Sequence, residues 1–283
     1  MADKFIVKEE SKLLEFLFKN LVGWSKKSVK QRLQGSSVVV NNTIITKHDF
    51  RLNIGDSVEI GVTQRRANQI INRLEIIYQD RDIIAVNKPA GLLSVADAKE
   101  NKQHALAILR TQLSRGKNTL KLWPVHRLDR DTSGILLFAT SKEMREAIMS
   151  NWGQAEKVYL AIVEGIPKEE KLTIDQPLRI DEREYRMHVG KHPHAKSAIT
   201  HYTIQQKSSK SSLLEVKIDT GRQHQIRAHL SWLGHSIIGD ERYGTKGSRM
   251  GLHSKRVKII DPRTKKPLKF EVDAPRDFYR LLE

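Results

Sequence analysis

The segment HRLDRDTSG at 126–134 runs straight into ILLFATS at 135–141. Asp129 and Asp131 alternate with Arg127 and Arg130, and only Thr132, Ser133 and Gly134 separate them from the apolar run 135–139. Such a run bounded by turn formers reads as a buried strand. A fold for this chain must bury that strand while holding a charge knot at its mouth. A guanidinium beside a carboxylate favours the ionised form, and an ionised carboxylate can act as a nucleophile. Two other readings stand beside this one. The knot can simply cap the strand with ion pairs, or Asp129 and Asp131 can form a metal-binding pair. The adjacent arginines compete with a cation and weigh against the last.

The 283 residues carry 50 Lys and Arg against 33 Asp and Glu, a formal charge of +17. An excess of that size concerns partners, with nucleic acid first and an acidic membrane surface second. The absence of cysteine excludes disulfides, thiolate zinc sites, Fe–S clusters and cysteine nucleophiles. The start, MADKFIVKEESK, has no apolar leader core, and the apolar runs are too short to span a bilayer. The expectation is a soluble, cytoplasmic protein without a membrane partner.

Residues 1–62 read as one small α+β module. In SKLLEFLFKNL, Leu13, Leu14, Leu17, Phe18 and Leu21 share a helical face, with Ser11 as N-cap. GWSKKSVKQRLQG offers Ser25 as the cap of a second helix, Val29 and Leu33 facing inward, and Gly35 as its stop. VVVNN and TIITKHDF suggest a hairpin turning at Asn41 and Asn42. Residues 24–48 hold five Lys or Arg and no acid, so Lys26, Lys27, Lys30 and Arg32 are expected to meet phosphate; a solvated face is the plainer alternative.

The polar stretch 63–73 reads as a linker. From 74 to 283, strand-like IIAVN (83–87), ILLFATS, KVYLAIVEG (157–165) and LLEVKIDTG (213–221) alternate with helical segments 104–116, 142–152 and 223–234. The expected class is α+β, with a mixed, mainly antiparallel sheet in this larger domain. Residues 185–214 hold five Lys or Arg, four His and no acid, and 242–270 hold ten basic residues against Asp261 alone. Stripes of that length suit a long polyanionic substrate. His188, His192 and His194 resemble a weak metal motif in basic surroundings. SRGKNT (114–119) lacks the first glycine of a P-loop, Thr111 standing in its place.

HRLDRDTSG resembles the signature of the RluA-family pseudouridine synthases. VNKPAGLLSV (86–95), KVYLAIVEG, LEVKIDTGRQHQIRAHLSWLGHSIIGDERYG (214–244) and LHSKRVKIIDP (252–262) resemble its other motifs in order. The first module, through GSSVVVNN and NIGD, resembles the S4 RNA-binding domain. The resemblance departs at Ser94-Val95, where many relatives carry His-Pro, at Ser254 after His253, and at Asp261 before Pro262.

The resemblance implies isomerisation of uridine to pseudouridine in RNA: the N1–C1′ bond breaks, the base turns, and C5 bonds to C1′. It implies Asp129 as nucleophile, attacking C6 or C1′; Tyr159 as the aromatic partner of the uracil; and Arg222 as the arginine paired with Asp129. Ile226 becomes an apolar wall against the base and Arg127 the filler of the gap that a flipped nucleotide leaves. Lys88, in NKPAG, belongs to a tight turn that supports the substrate site. No cofactor or metal is required, because no redox change occurs and no atom is added. Ribosomal RNA is the first expected partner and tRNA the second, with the enzyme a monomer. A non-catalytic RNA-binding or ribosome-assembly protein and a metal-dependent transferase using Asp129 and Asp131 are the rivals.

Overall fold

The computed structural model describes residues 3–34, 37–41, 43–45, 47–61, 73–97, 103–114 and 120–282. The chain falls into two units, Met1–Arg73 and Leu74–Glu283, each with its own apolar core. Residues 62–72, nearly all of the expected linker, lie outside the described residues.

The first unit runs β1 (Asp3–Ile6), β2 (Ser11–Lys12), α1 (Leu13–Asn20), α2 (Lys26–Gln34), β3 (Val38–Val40), β4 (Thr43–Ile44), β5 (Arg51–Leu52) and β6 (Ser57–Ile60). Its main sheet has the order β1-β6-β3-β4. Leu13, Phe16 and Leu17 of α1 and Val29 and Leu33 of α2 enter its core. Ser11 does not cap α1: it pairs with Leu52 in a short ladder, and the cap position falls to Lys12, which makes no side-chain bond. Ser25 caps α2 as expected, its Oγ accepting the Ser28 N–H at 3.1 Å. With Val29 and Leu33 turned inward, Lys26, Lys27, Lys30 and Arg32 are left exposed. Gly35 and Asn42 lie outside the described residues. Asn41 turns the chain at φ +47°, and its side chain binds Asp56 and the Ser57 N–H.

The second unit comprises β7 (Glu75–Gln79), β8 (Ile83–Lys88), α3 (Ala105–Leu113), β9 (Trp123–Pro124), β10 (Ser133–Ala139), α4 (Lys142–Met149), β11 (Glu156–Glu164) and β12 (Lys171–Asp175). It continues with β13 (Leu178–Asp181), β14 (Arg186–Val189), β15 (Ile199–Lys207), β16 (Ser211–Ile218), α5 (Gln225–Trp232), β17 (Leu252–Ile260), β18 (Pro267–Glu271) and α6 (Arg276–Tyr279). One sheet of order β12-β15-β16-β11-β17-β10-β8-β7 organises it, with β18 beside β17 and β9 beside β10. Every pairing is antiparallel except β10 with β17. The α+β reading and the mainly antiparallel sheet therefore hold.

All seven residues of β10 are buried. Leu136 and Phe138 face a core shared with Leu106, Ile108 and Leu109 of α3, while Ile135, Leu137 and Ala139 face Ile148, Val257 and Phe270. A strand covered on both faces reads as an unbroken apolar run rather than an alternating one.

The parallel contact with β17 places Gly134 opposite Ser254. Gly134 has φ +107°, and a Cβ there would lie 2.2 Å from the Ser254 carbonyl oxygen. Glycine ends the charge knot because the two backbones meet at that point.

Candidate active site

The loop 126–132 leads into β10 and is held by the segment after β8. Lys88, fully buried, donates from Nζ to the carbonyls of Pro89 (2.9 Å), Leu92 (2.7 Å) and Arg130 (3.0 Å). Burial pushes its ammonium down to about 7, against the pull of Asp131 and Asp129. The Gly91 N–H also donates to the Arg130 carbonyl, at 2.9 Å. Ser94 Oγ donates to the Leu128 carbonyl and accepts the Leu128 N–H. The hydroxyl at this departure from the family pattern is thus a loop clamp. Lys88 is not among the residues lining the pocket that Asp129 borders; its three hydrogen bonds support the loop backbone.

Asp129 projects from this loop into a pocket whose walls include Tyr159, Ile226, Thr132 and Leu252. Its Oδ2 accepts from Arg227 Nη1 at 2.8 Å, and His224 Nε2 lies 3.8 Å from Oδ1. Arg227 is in turn gripped by Asp240, whose side chain is fully buried, through Nε–Oδ2 at 2.7 Å and Nη2–Oδ1 at 2.8 Å. Burial works to raise the Asp240 pKa, but the hydrogen bonds and charge of Arg227 outweigh it and hold the value below the usual carboxylate range.

The partner of Asp129 is a correction. Arg222 was expected in that role. It borders the same pocket, but it is exposed and its Nε donates to the Ser197 carbonyl at 3.0 Å. Between the two arginines, His224 takes φ +48° and starts α5. The turn leaves Arg222 at the rim and carries Arg227 inside, on a helix whose residues from Gln225 to Leu230 are all buried. Both arginines lie in TGRQHQIR; nothing in their spacing says which side of the turn faces inward.

Tyr159 stands where the β11–β17 register shifts, between Val158 and Tyr159, and such bulges re-aim side chains. Burial, with the charge of Asp129, pushes its hydroxyl up to about 12, so it enters the pocket as a neutral phenol. Ile226 is buried on the pocket wall and Arg127 is exposed at its edge.

The ordered set of segments around this pocket also matches a family model, described as RNA pseudouridylate synthase, over residues 82–232. The chain belongs to the RNA pseudouridylate synthase family. It is 29% identical over 281 residues to the RNA pseudouridine synthase YlyB of Bacillus subtilis, covering 95% of this chain and 92% of that one. It is 35% identical to tRNA pseudouridine synthase C of Haemophilus ducreyi, covering 68% and 87%. It is 30% identical to ribosomal large subunit pseudouridine synthase D of Zymomonas mobilis, covering 74% and 72%. The protein is an isomerase acting on RNA.

Other predicted positions of this pseudouridine synthase fall elsewhere. His188 Nε2 faces Glu184 at 3.4 Å, whereas the rings of His192 and His194 lie 5.5 Å apart. Among the described residues, no three His, Asp or Glu side chains gather around a common point. Residues 115–119 of the P-loop-like stretch lie outside the described residues. His126 supports the synthase loop from below. Its ring stacks on Trp152 at 5.1 Å and its Nε2 accepts the Leu137 N–H at 3.2 Å; burial pushes its pKa down to about 4.

Proposed function

We propose that Asp129 is the nucleophile of the isomerisation, with Tyr159 and Ile226 against the uracil and Arg127 filling the stack that the flipped uridine leaves. The observation that supports this most is the carboxylate of Asp129, set in a pocket with one oxygen on the anchored Arg227. In the net reaction the N1–C1′ bond is exchanged for C5–C1′. The C5 proton is released and N1 gains one, so no redox partner enters. Arg227 also bears on the rival metal pair: a cation at Asp129 and Asp131 competes with a guanidinium already bonded to Asp129 at 2.8 Å.

The first unit is read as an S4-like RNA grip, with ribosomal RNA as target. Supporting this are the exposed Lys26, Lys27, Lys30 and Arg32, and Trp24, over whose ring the Arg32 guanidinium lies at 4.2 Å. An aromatic ring beside a basic face suits bases and phosphates together. The named relatives include one acting on tRNA and one on the large ribosomal subunit, so both substrates enter the test. In vitro transcripts of large-subunit rRNA and of tRNA, made with C5-tritiated uridine, are incubated with wild type and Asp129→Asn. Tritium release from the rRNA by wild type alone is expected. Release by Asp129→Asn at the wild-type rate overturns the nucleophile, and release from tRNA alone overturns the target.

A further inference from the structure

His224 sits beside the reacting group with no role assigned to it so far. Its side chain is 11% exposed and its backbone is left-handed, at φ +48°. A non-glycine residue in that region costs conformational energy, and such outliers gather at functional sites. The arrangement around it fixes where its proton is. The Met187 N–H donates to Tyr243 Oη at 2.7 Å, and the same Oη lies 3.1 Å from His224 Nδ1. Among the described residues, the Tyr243 hydroxyl has no other acceptor, so its proton points to Nδ1. Nδ1 then carries no proton of its own, and the imidazole proton sits on Nε2. That N–H faces Asp129 Oδ1 across 3.8 Å.

Tyr243 is itself fixed. The guanidiniums of Arg186 and Arg227 lie over its ring at 4.9 and 5.2 Å, and it meets the His224 ring edge-on at 84°. Burial, with the charges of Arg227 and Arg242, pushes the His224 pKa down to about 4 against the pull of Asp129 and Asp240. The imidazole is therefore neutral near pH 7, with Nε2 at 3.8 Å from the carboxylate.

We propose that His224 is a positioning residue for the isomerisation: aimed by Tyr243, its Nε2–H holds the Asp129 oxygen that Arg227 leaves free. Arg227 pins Oδ2, and among the described residues Oδ1 accepts no hydrogen bond. A second donor at Oδ1 restrains the carboxylate at both oxygens and presents one defined face to the flipped uridine. Hydrogen bonds of this kind are often long without substrate and tighten when it binds. The inference rests on Asp129 being the nucleophile.

The test compares His224→Gln with His224→Asn. The Gln amide nitrogen reaches about as far as Nε2, whereas the Asn amide nitrogen stops near the Nδ1 position. Asn tolerates the left-handed backbone better than Gln, so a purely structural role ranks Asn above Gln. Single-turnover tritium release is measured at saturating RNA on the transcript that wild type modifies, with Kd for that transcript and Tm measured separately. For His224→Asn, a loss of roughly 10- to 100-fold in rate with unchanged Kd is expected. His224→Gln is expected to recover most of the rate. Tyr243→Phe, which frees the tautomer, is expected to slow the step several-fold without altering Kd. Equal rates for the Gln and Asn variants, or wild-type rates for Asn or for Tyr243→Phe, overturn the proposal. Should Asp129→Asn prove active, the nucleophile reading fails instead; an inactive Asp129→Asn beside a fully active His224→Asn refutes only the role of His224.

Discussion

Arg227 meets Asp240 through two hydrogen bonds, at 2.7 and 2.8 Å, and so reaches Asp129 with a single nitrogen. The guanidinium is held from the side away from the pocket, and its remaining donor is fixed in direction before substrate arrives. This geometry separates an anchoring carboxylate, Asp240, from the one that lines the pocket, Asp129.

Removing the anchor leaves Arg227 charged in a buried place. Asp240→Asn is expected to cost about 3–5 kcal/mol of stability, the range for breaking a buried ion pair. The folded-state pKa of Asp240 is depressed. Its stabilisation is therefore complete above the unfolded value of about 3.9 and lost as pH falls through the folded one. Urea unfolding of wild type and variant at pH 7 and at pH 3 checks this, the gap between them narrowing at the lower pH.

Lys88 gives a pH dependence of the other kind. Its folded pKa, about 7, lies below the unfolded value of a lysine. Between the two the unfolded chain binds more protons, so wild-type stability rises with pH in that window, by at most about 1.4 kcal/mol per unit. Lys88→Met removes the titrating group. Relative to this variant, wild type is expected to gain stability from pH 7 to 10, read as the difference in urea midpoint. A constant difference across that range counts against a buried lysine near neutrality.

Gly134→Ala brings a Cβ to 2.2 Å from the Ser254 carbonyl oxygen at a positive φ. No side chain can yield there, because the obstacle is backbone. The variant is expected to lose at least about 3 kcal/mol and with it the β10–β17 contact that supports the Asp129 loop. Circular dichroism melts show the loss. Ser133→Ala, one residue earlier, removes only a hydroxyl bonded to His253 and Arg249 and is expected to melt much closer to wild type.

Lys26→Gln, Lys27→Gln and Lys30→Gln combined test the exposed face of α2. Each lost phosphate contact is expected to lower the slope of log K against log salt by about 0.7–0.9. Single-turnover rate at saturating RNA is expected to stay unchanged. An unaltered slope in filter-binding titrations from low to moderate salt removes α2 from the RNA surface.

Much of the site was legible because its parts are contiguous. HRLDRDTSG carries the carboxylate, the loop and the glycine that ends it, and the apolar run behind them announces a strand covered on both faces. Val29 and Leu33 one helical turn apart, with Lys30 and Arg32 between, placed the basic face of α2 outward. Strands β12–β15 were harder to read, because their burial is partial and their polar residues give no clean alternation.

Local pattern is what a sequence determines by itself: which residues form an element, which of its faces is apolar, and which chemical groups lie within a few positions of one another. Tertiary structure alone decided that Arg227 rather than Arg222 meets Asp129, that Asp240 anchors it, and that Lys88 reaches the carbonyl of Arg130. The reason is physical. Arg227 and Asp129 stand 98 positions apart and Lys88 and Arg130 42, while Arg227 and Asp240, only 13 apart, meet because of how the chain turns at His224 and after α5. A change of one residue at either place would turn different side chains into the pocket while leaving composition and periodicity as they are.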